Sequence, residues 1–346
     1  LCQKRRCGTP PALAALKSKI KFLQTITLEP EPLSTAQAFE IHRAMGEVLS
    51  SLPDEAFTGL KTKAGVKVAT SACIEKMRSE GGTIEAINLI VIEGSVGRPA
   101  YVRDLQTMEL EREILLKDST IGEYVFWICL EEVLATPIEQ LKAAQAIGVQ
   151  EPGKTRVITK TSAALKVVLD TVHGICAWPL SKIESSASGM AKDNHGWQLF
   201  KEFFHHPNLT FNKESTLDES VPNEINDFER YTVYRDLFVA STDFSTATDF
   251  MQHDVARIMS NAWMKKCGIP RVLIGLVNAV AYSERDVLFR SNGVLKGIGT
   301  PVDETTNKVR LVRGVLMGDP MTKVVLHMVN ICIRKTGRHL EKYFKM

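Results

Sequence analysis

The sequence predicts a mixed α/β (α+β) chain, and three observations carry that expectation. Apolar residues recur at helical spacing through much of the chain. In "TAQAFEIHRAMGEVLSSL" (35–52), Phe39, Met45, Val48, Leu49 and Leu52 fall near one face and Pro53 ends the run. Short apolar or alternating runs of strand length also occur, among them "DLFVA" (236–240), "KVRLVRG" (308–314) and the stretch 154–160. At 346 residues the chain exceeds the usual single-domain size, so subdomains sharing a core are expected.

In order, "LCQKRRCGTPP" (1–11) is a basic, turn-rich lead-in. The glycine-bearing loops "KTKAGVK" (61–67) and "RSEGGTI" (78–84) flank a predicted helix. "VRDLQTMELEREILL" (102–116) and "GEYVFWICLEEVL" (122–134) read as further helices. "SAALKVVLDTVHGICAW" (162–178) places Leu165, Val168, Leu169, Val172, Ile175 and Cys176 on one helical face. Residues 205–230 are polar and rich in Pro and Asn, a long loop before the strand 236–240. "HDVARIMSNAWMKK" (253–266) and "PRVLIGLVNAVAY" (270–282) are predicted helices, the second with Pro270 in its first turn. "RDVLFRSNGVLKG" (285–297) reads as a hairpin turning at Asn292-Gly293, and the strand 308–311 leads through a glycine loop into an apolar helix starting near Met321.

Composition excludes several classes. Hydrophobic residues make up 44% and charged residues 24%, as in ordinary globular proteins and unlike disordered ones. The net charge of +3 leaves any nucleic-acid surface to local arrangement. The seven cysteines are odd in number, dispersed and without a CxxC pair, which argues against a zinc or disulfide framework and for a reducing compartment. No uninterrupted run of about twenty apolar residues occurs, so no membrane span is expected. "GGTIEAINLIVIEGSVGRP" (81–99) has neither a P-loop lysine nor GxGxxG. His195, His205 and His206 lack the helical spacing of a metal pair, and the isolated Trp127, Trp178, Trp197 and Trp263 read as core.

Three segments carry chemistry. "STDFSTATDF" (241–250) sets Asp243 at the end of a strand and Asp249 six residues on. A strand end fixes a carboxylate well enough to hold Mg²⁺, which takes one or two carboxylates together with substrate phosphates. Asp249 read alone also fits a helix N-cap. "EPGKTRVITK" (151–160) turns at Pro152-Gly153 and then puts Lys154, Arg156 and Lys160 on one face of a strand, where they suit a triphosphate. The same strand also reads as an edge kept soluble by its lysines. "RGVLMGDPMTKVVLHMVN" (313–330) has Gly314 and Gly318 flanking a loop whose backbone must come near something, an anion or a nucleic-acid backbone held by its N–H groups, or else a plain strand–turn–helix link, and Asp319-Pro320 is a helix-start signal.

Taken in chain order, 151–160, 241–250 and 313–330, the three segments resemble motifs F, A and B of viral RNA-dependent RNA polymerases. The D-x-S-x-A-T-D form and the "MG" loop are most similar to the RNA-phage, narnavirus and ourmia-like (botourmiavirus) lineage. The resemblance covers residues 151–346 in blocks and implies a right-hand polymerase fold, with fingers at 1–235, palm at 236–266, a return to the fingers at 267–312 and palm again at 313–346. It implies Mg²⁺ (Mn²⁺ possible) as cofactor, template and product RNA and ribonucleoside triphosphates as partners, and the host-cell cytoplasm as location. Asp243 matches the motif A metal ligand, with the Phe244 carbonyl a second donor, and Asp249 matches the carboxylate that senses the ribose. Lys154 and Arg156, with Lys160 beside them, match the motif F grip on the triphosphate. Gly318 and Thr322 match the motif B loop glycine and hydroxyl. Where many relatives carry an Asn four residues after that Thr, this chain has Leu326, with Asn330 one turn on. No Gly-Asp-Asp occurs in the sequence. Motif C and the thumb are therefore expected beyond Met346, and the chain is expected to be part of a longer polypeptide and inactive alone.

Overall fold

The computed structural model describes residues 12–97, 102–103, 110–111, 120–151, 154–183, 186–187, 247–289, 302–303 and 308–344. The chain divides into two compact units, Leu1–Leu180 with Thr246–Met346, and Ser181–Ser245. The first unit mixes helix and sheet, as expected. Asp243, Phe244, the strand 236–240, the loop 205–230, Pro152-Gly153, Asn292-Gly293 and His195, His205 and His206 lie outside the described residues.

A five-stranded sheet forms the centre, in the order β4-β3-β5-β7-β6. Its strands are β3 (Ala144–Glu151), β4 (Lys154–Lys160), β5 (Arg285–Phe289), β6 (Val302–Asp303) and β7 (Lys308–Leu311). β3 pairs antiparallel with β4 and parallel with β5, and β7 pairs antiparallel with both β5 and β6. Two-residue periodicity sends Ala144, Ala146, Val287, Phe289, Val309 and Leu311 to one face, where Phe22, Leu23 and Ile26 of helix α1 (Ala12–Ile26) complete a core with Leu316. Val157 of β4 packs against the same core, so Thr155 and Thr159 share its face and Arg156 and Lys160 take the other.

Helices form the rest. α2 (Thr35–Ser51) starts at a capping box in which the Ser34 hydroxyl accepts from Gln37 N at 3.2 Å and Gln37 Oε1 accepts from Ser34 N at 3.0 Å. α3 (Gly82–Gly97) packs on α4 (Ile121–Ala135), followed by the short turn α5 (Ile138–Leu141). α6 (Ala163–Lys182), α7 (His253–Lys266), α8 (Arg271–Ala281) and α9 (Thr322–Phe344) complete the order. α2, α7 and α9 pack on one another through Met45, Val48, Met259, Met264, Val325 and Met328. Trp263 of α7 is fully buried and donates from Nε1 to the Cys176 carbonyl of α6 at 2.9 Å. Among the described residues α6 alone is long and apolar enough by composition to cross a membrane, but most of it is buried within the protein, as in a core helix.

Several expectations fail for identifiable reasons. The helix expected between the glycine loops of 61–84 is absent, and residues 64–77 run as an extended strap instead. Val66, Val68 and Thr70 are poor helix formers, and the strap's backbone is engaged elsewhere. Ser71 O accepts from Thr83 N and Thr83 Oγ1, both at 2.8 Å, and Ile74 N donates to Thr161 O at 3.1 Å. The strap follows α6 backwards, from Trp178 Nε1 on Thr58 O at 3.0 Å to the Glu75 carboxylate, which accepts from Ala163 N at the helix start. The helix predicted at 102–116 gives way to strands β1 (Val102–Arg103) and β2 (Leu110–Glu111), paired antiparallel. Met108-Glu109-Leu110-Glu111 alternates with period two, a pattern that suits a strand. The hairpin predicted within 285–297 is replaced as well, because β3 and β7 occupy the two edges of β5. Phe39 is 65% exposed, since it lies about 120° around α2 from Met45. Trp127, read as core, is 47% exposed. Pro270 is the N-cap of α8 rather than a residue of its first turn.

Candidate active site

The site is assembled around the loop between β7 and α9. Val312 N donates to Ile26 O at 2.9 Å, which pins the chain to the end of α1 as it leaves the sheet. Gly314 then adopts φ +97°, a conformation that favours glycine. A Cβ there would stand 2.9 Å from the Asp249 carbonyl oxygen, so the position also lacks room. Gly314 N donates to Met251 O at 2.7 Å and Val315 N donates to Thr248 O at 2.8 Å. His253, at the start of α7, donates from Nε2 to Gly314 O at 2.9 Å, which assigns its proton to that nitrogen. Burial pulls this imidazole below its ordinary pKa, and the Gly314 contact opposes that pull.

Asp249 lies in the turn 247–250 against this root. It is not a helix cap, because α7 begins at His253 with Gln252 as its N-cap. Oδ1 of Asp249 accepts from the Thr248 hydroxyl at 2.9 Å. Burial raises its carboxyl pKa, while that hydrogen bond and the charge of Lys21 pull it down. On the same turn Arg313 donates to the Phe250 carbonyl at 3.1 Å, with its guanidinium 5.3 Å from the Phe250 ring.

The far side of the loop meets β4. Met317 is 45% exposed at the tip. A Cβ on Gly318 would fall 1.7 Å from the Thr159 carbonyl oxygen, so only glycine fits there. Next to it Asp319 is buried and ion-paired to Arg285 at the start of β5. Arg285 Nε also donates to Lys142 O at 3.0 Å. Burial pushes the Asp319 carboxyl pKa up and the Arg285 charge opposes it. Thr322 is buried and donates from its hydroxyl to Leu316 O at 2.7 Å, closing the loop onto the first turn of α9.

The fold thus brings Asp249, Gly318, Thr322 and the end of the cationic strand together around one loop. The strand's register keeps Arg156 and Lys160 on one face, opposite Val149 and Gln145, and pairs Lys154 with Glu151 along the backbone. Their settings differ, since Arg156 is exposed and Lys160 is buried with Nζ 3.4 Å from Met77 Sδ of the strap. Asn330 is exposed on α9. Among the described residues no cluster of three metal-ligating side chains occurs, and Asp249 is a single carboxylate with one oxygen already engaged. Arg285 and His253 went unread in the sequence because neither lies in a motif, and Asp319 read only as a helix start. A signal for the ion pair was present in the arginine opening an apolar strand, a charge that burial would have to match.

Compared with models of known protein families and with curated proteins, the chain matches none.

Proposed function

We propose that the chain is the fingers and part of the palm of a right-hand RNA-directed RNA polymerase. The reaction is attack of a nascent-strand 3′-hydroxyl on the α-phosphate of a ribonucleoside triphosphate, directed by an RNA template. One observation carries this reading. Segments that are far apart in sequence, and that resemble motifs F, A and B, meet at a single loop, with Gly314 against the Asp249 backbone and Gly318 against the Thr159 backbone. A cationic strand, a carboxylate turn and a glycine loop that meet in this way suit a triphosphate and a sugar. In this reading Arg156 and Lys154 grip the phosphates and Asp249 senses the ribose. Asp243 and the Phe244 carbonyl would hold Mg²⁺, which when bound activates the attacking hydroxyl and steadies the leaving pyrophosphate.

The test is nucleotide incorporation on a primed RNA template by the protein that carries this chain, beside its Asp243→Asn variant. Incorporation by the unsubstituted protein that is abolished by Asp243→Asn, with RNA affinity retained, supports the reading. RNA binding without turnover would leave only an RNA-binding module, and turnover by the variant would overturn the metal assignment.

A further inference from the structure

We propose that Arg285 is a positioning residue that sets how closely the glycine loop approaches the cationic strand. The inference rests on the polymerase reading for what the loop then does, and on geometry alone for the latch itself. One guanidinium holds two elements. Its Nε donates to Lys142 O, two residues before β3, and its Nη1 bonds the Asp319 carboxylate. β3 in turn carries β4, with Ala146 opposite Thr159. Thr159 is the residue whose carbonyl faces Gly318. The circuit from Lys142 through Arg285, Asp319, Gly318 and Thr159 back to β3 is closed, so the position of the loop on β4 follows from the fork of Arg285.

The pair is poorly arranged for stability. Both side chains are 1% exposed, yet Arg285 Nη2 and Asp319 Oδ1 have no hydrogen-bond partner among the described residues. A buried pair with open valences is often matched or exceeded in stability by apolar residues of similar volume. What apolar residues cannot reproduce is the direction of the fork, which aims one group at Lys142 O and another at Asp319. The opposite root of the loop needs no such device, because backbone hydrogen bonds from Gly314 and Val315 fix it. Those two amides supply an internal control.

The experiment is amide hydrogen exchange on the full chain for the unsubstituted protein, for Arg285→Lys, and for Arg285→Met combined with Asp319→Leu. The dissociation constants for Mg²⁺-GTP and for a single-stranded RNA are measured on the same samples. The Met/Leu pair should keep the melting temperature while the amides of Met317, Gly318, Asp319, Met321 and Thr322 exchange about tenfold faster and those of Gly314 and Val315 stay unchanged. The constant for GTP should rise about tenfold with RNA affinity held, since only the loop's placement has changed. Arg285→Lys keeps the charge but not the fork, so it should show the same pattern; it decides the matter if the Met/Leu pair fails to fold. Folded variants with unsubstituted exchange and GTP affinity would overturn the proposal and reduce the pair to packing. If the unsubstituted protein binds no GTP, the polymerase reading fails, and the exchange pattern still decides whether Arg285 sets the loop.

Discussion

The two roots of the glycine loop each come close to another part of the backbone, by different means. At Gly314 the backbone does the holding. Its N–H bonds Met251 O, its carbonyl accepts from His253, and the next amide bonds Thr248 O. At Gly318 the loop closes on itself, through Asp319 N and the Thr322 hydroxyl on the Leu316 carbonyl, and the neighbouring carboxylate of Asp319 is tied to a buried arginine. Backbone bonds tolerate side-chain change, apart from the glycine that a positive φ requires. A buried charge pair does not tolerate the loss of one partner. The Asp249 side should therefore behave as fixed scaffold and the Thr159 side as an adjustable contact.

The largest expected effect is at Asp319. Asp319→Ala leaves the Arg285 charge buried without its partner and should cost about 3–5 kcal/mol in denaturant unfolding. A loss below about 1 kcal/mol would mean that the pair is not buried as described, and the contrast between the roots would collapse. Gly318→Ala should follow, at about 3 kcal/mol. A Cβ lying 1.7 Å from a backbone oxygen has to push the loop off β4. Gly314→Ala should cost about 2 kcal/mol, from a φ of +97° and a 2.9 Å clash with the Asp249 carbonyl. Equal losses at the two glycines would argue that space rather than conformation governs both.

Much of this was legible in the sequence, and the failures share a cause. The helices α2, α4, α6, α7 and α9 follow from apolar spacing, and β4 follows from its alternation. The glycines of 313–330 marked a loop whose backbone comes close to something, but the neighbour at Gly318 is the Thr159 carbonyl of this chain, which the sequence did not indicate. Partners distant in sequence were not legible. Nothing in "RDVLF" says that β5 pairs with β3 on one side and β7 on the other, so a local hairpin was expected instead. The strap 64–77 looked helical because its anchors, Thr161, Ala163 and Thr83, lie outside it. The common face of Arg156 and Lys160 was legible from period two, but the burial of Lys160 beside Met77 depends on that same strap.

The smallest expected stability effect is at Asp249, and its sign separates scaffold from chemistry. Burial raises the Asp249 carboxyl pKa, so the folded state disfavours its charge. At neutral pH the ionised carboxyl is a liability, only partly offset by the Thr248 hydroxyl and Lys21. As pH falls through the raised folded value, the folded state takes up a proton before the unfolded state does. The unsubstituted protein should therefore gain stability relative to Asp249→Asn across that window, and the gain is complete below the unfolded value. Asn retains an oxygen that can accept from Thr248 and has no charge to bury. Asp249→Asn should change stability at pH 7 by no more than about 1 kcal/mol, with neutral or stabilising sign. In the polymerase reading the same change should blunt discrimination between ribo- and deoxyribonucleoside triphosphates, because the ribose loses a charged acceptor. Denaturant unfolding between about pH 3 and 7, which spans the unfolded aspartate value, measures the first effect and competing incorporation of the two sugars measures the second. A large destabilisation at pH 7 would make Asp249 part of the scaffold that fixes Gly314, and would remove the reason for assigning it to the substrate.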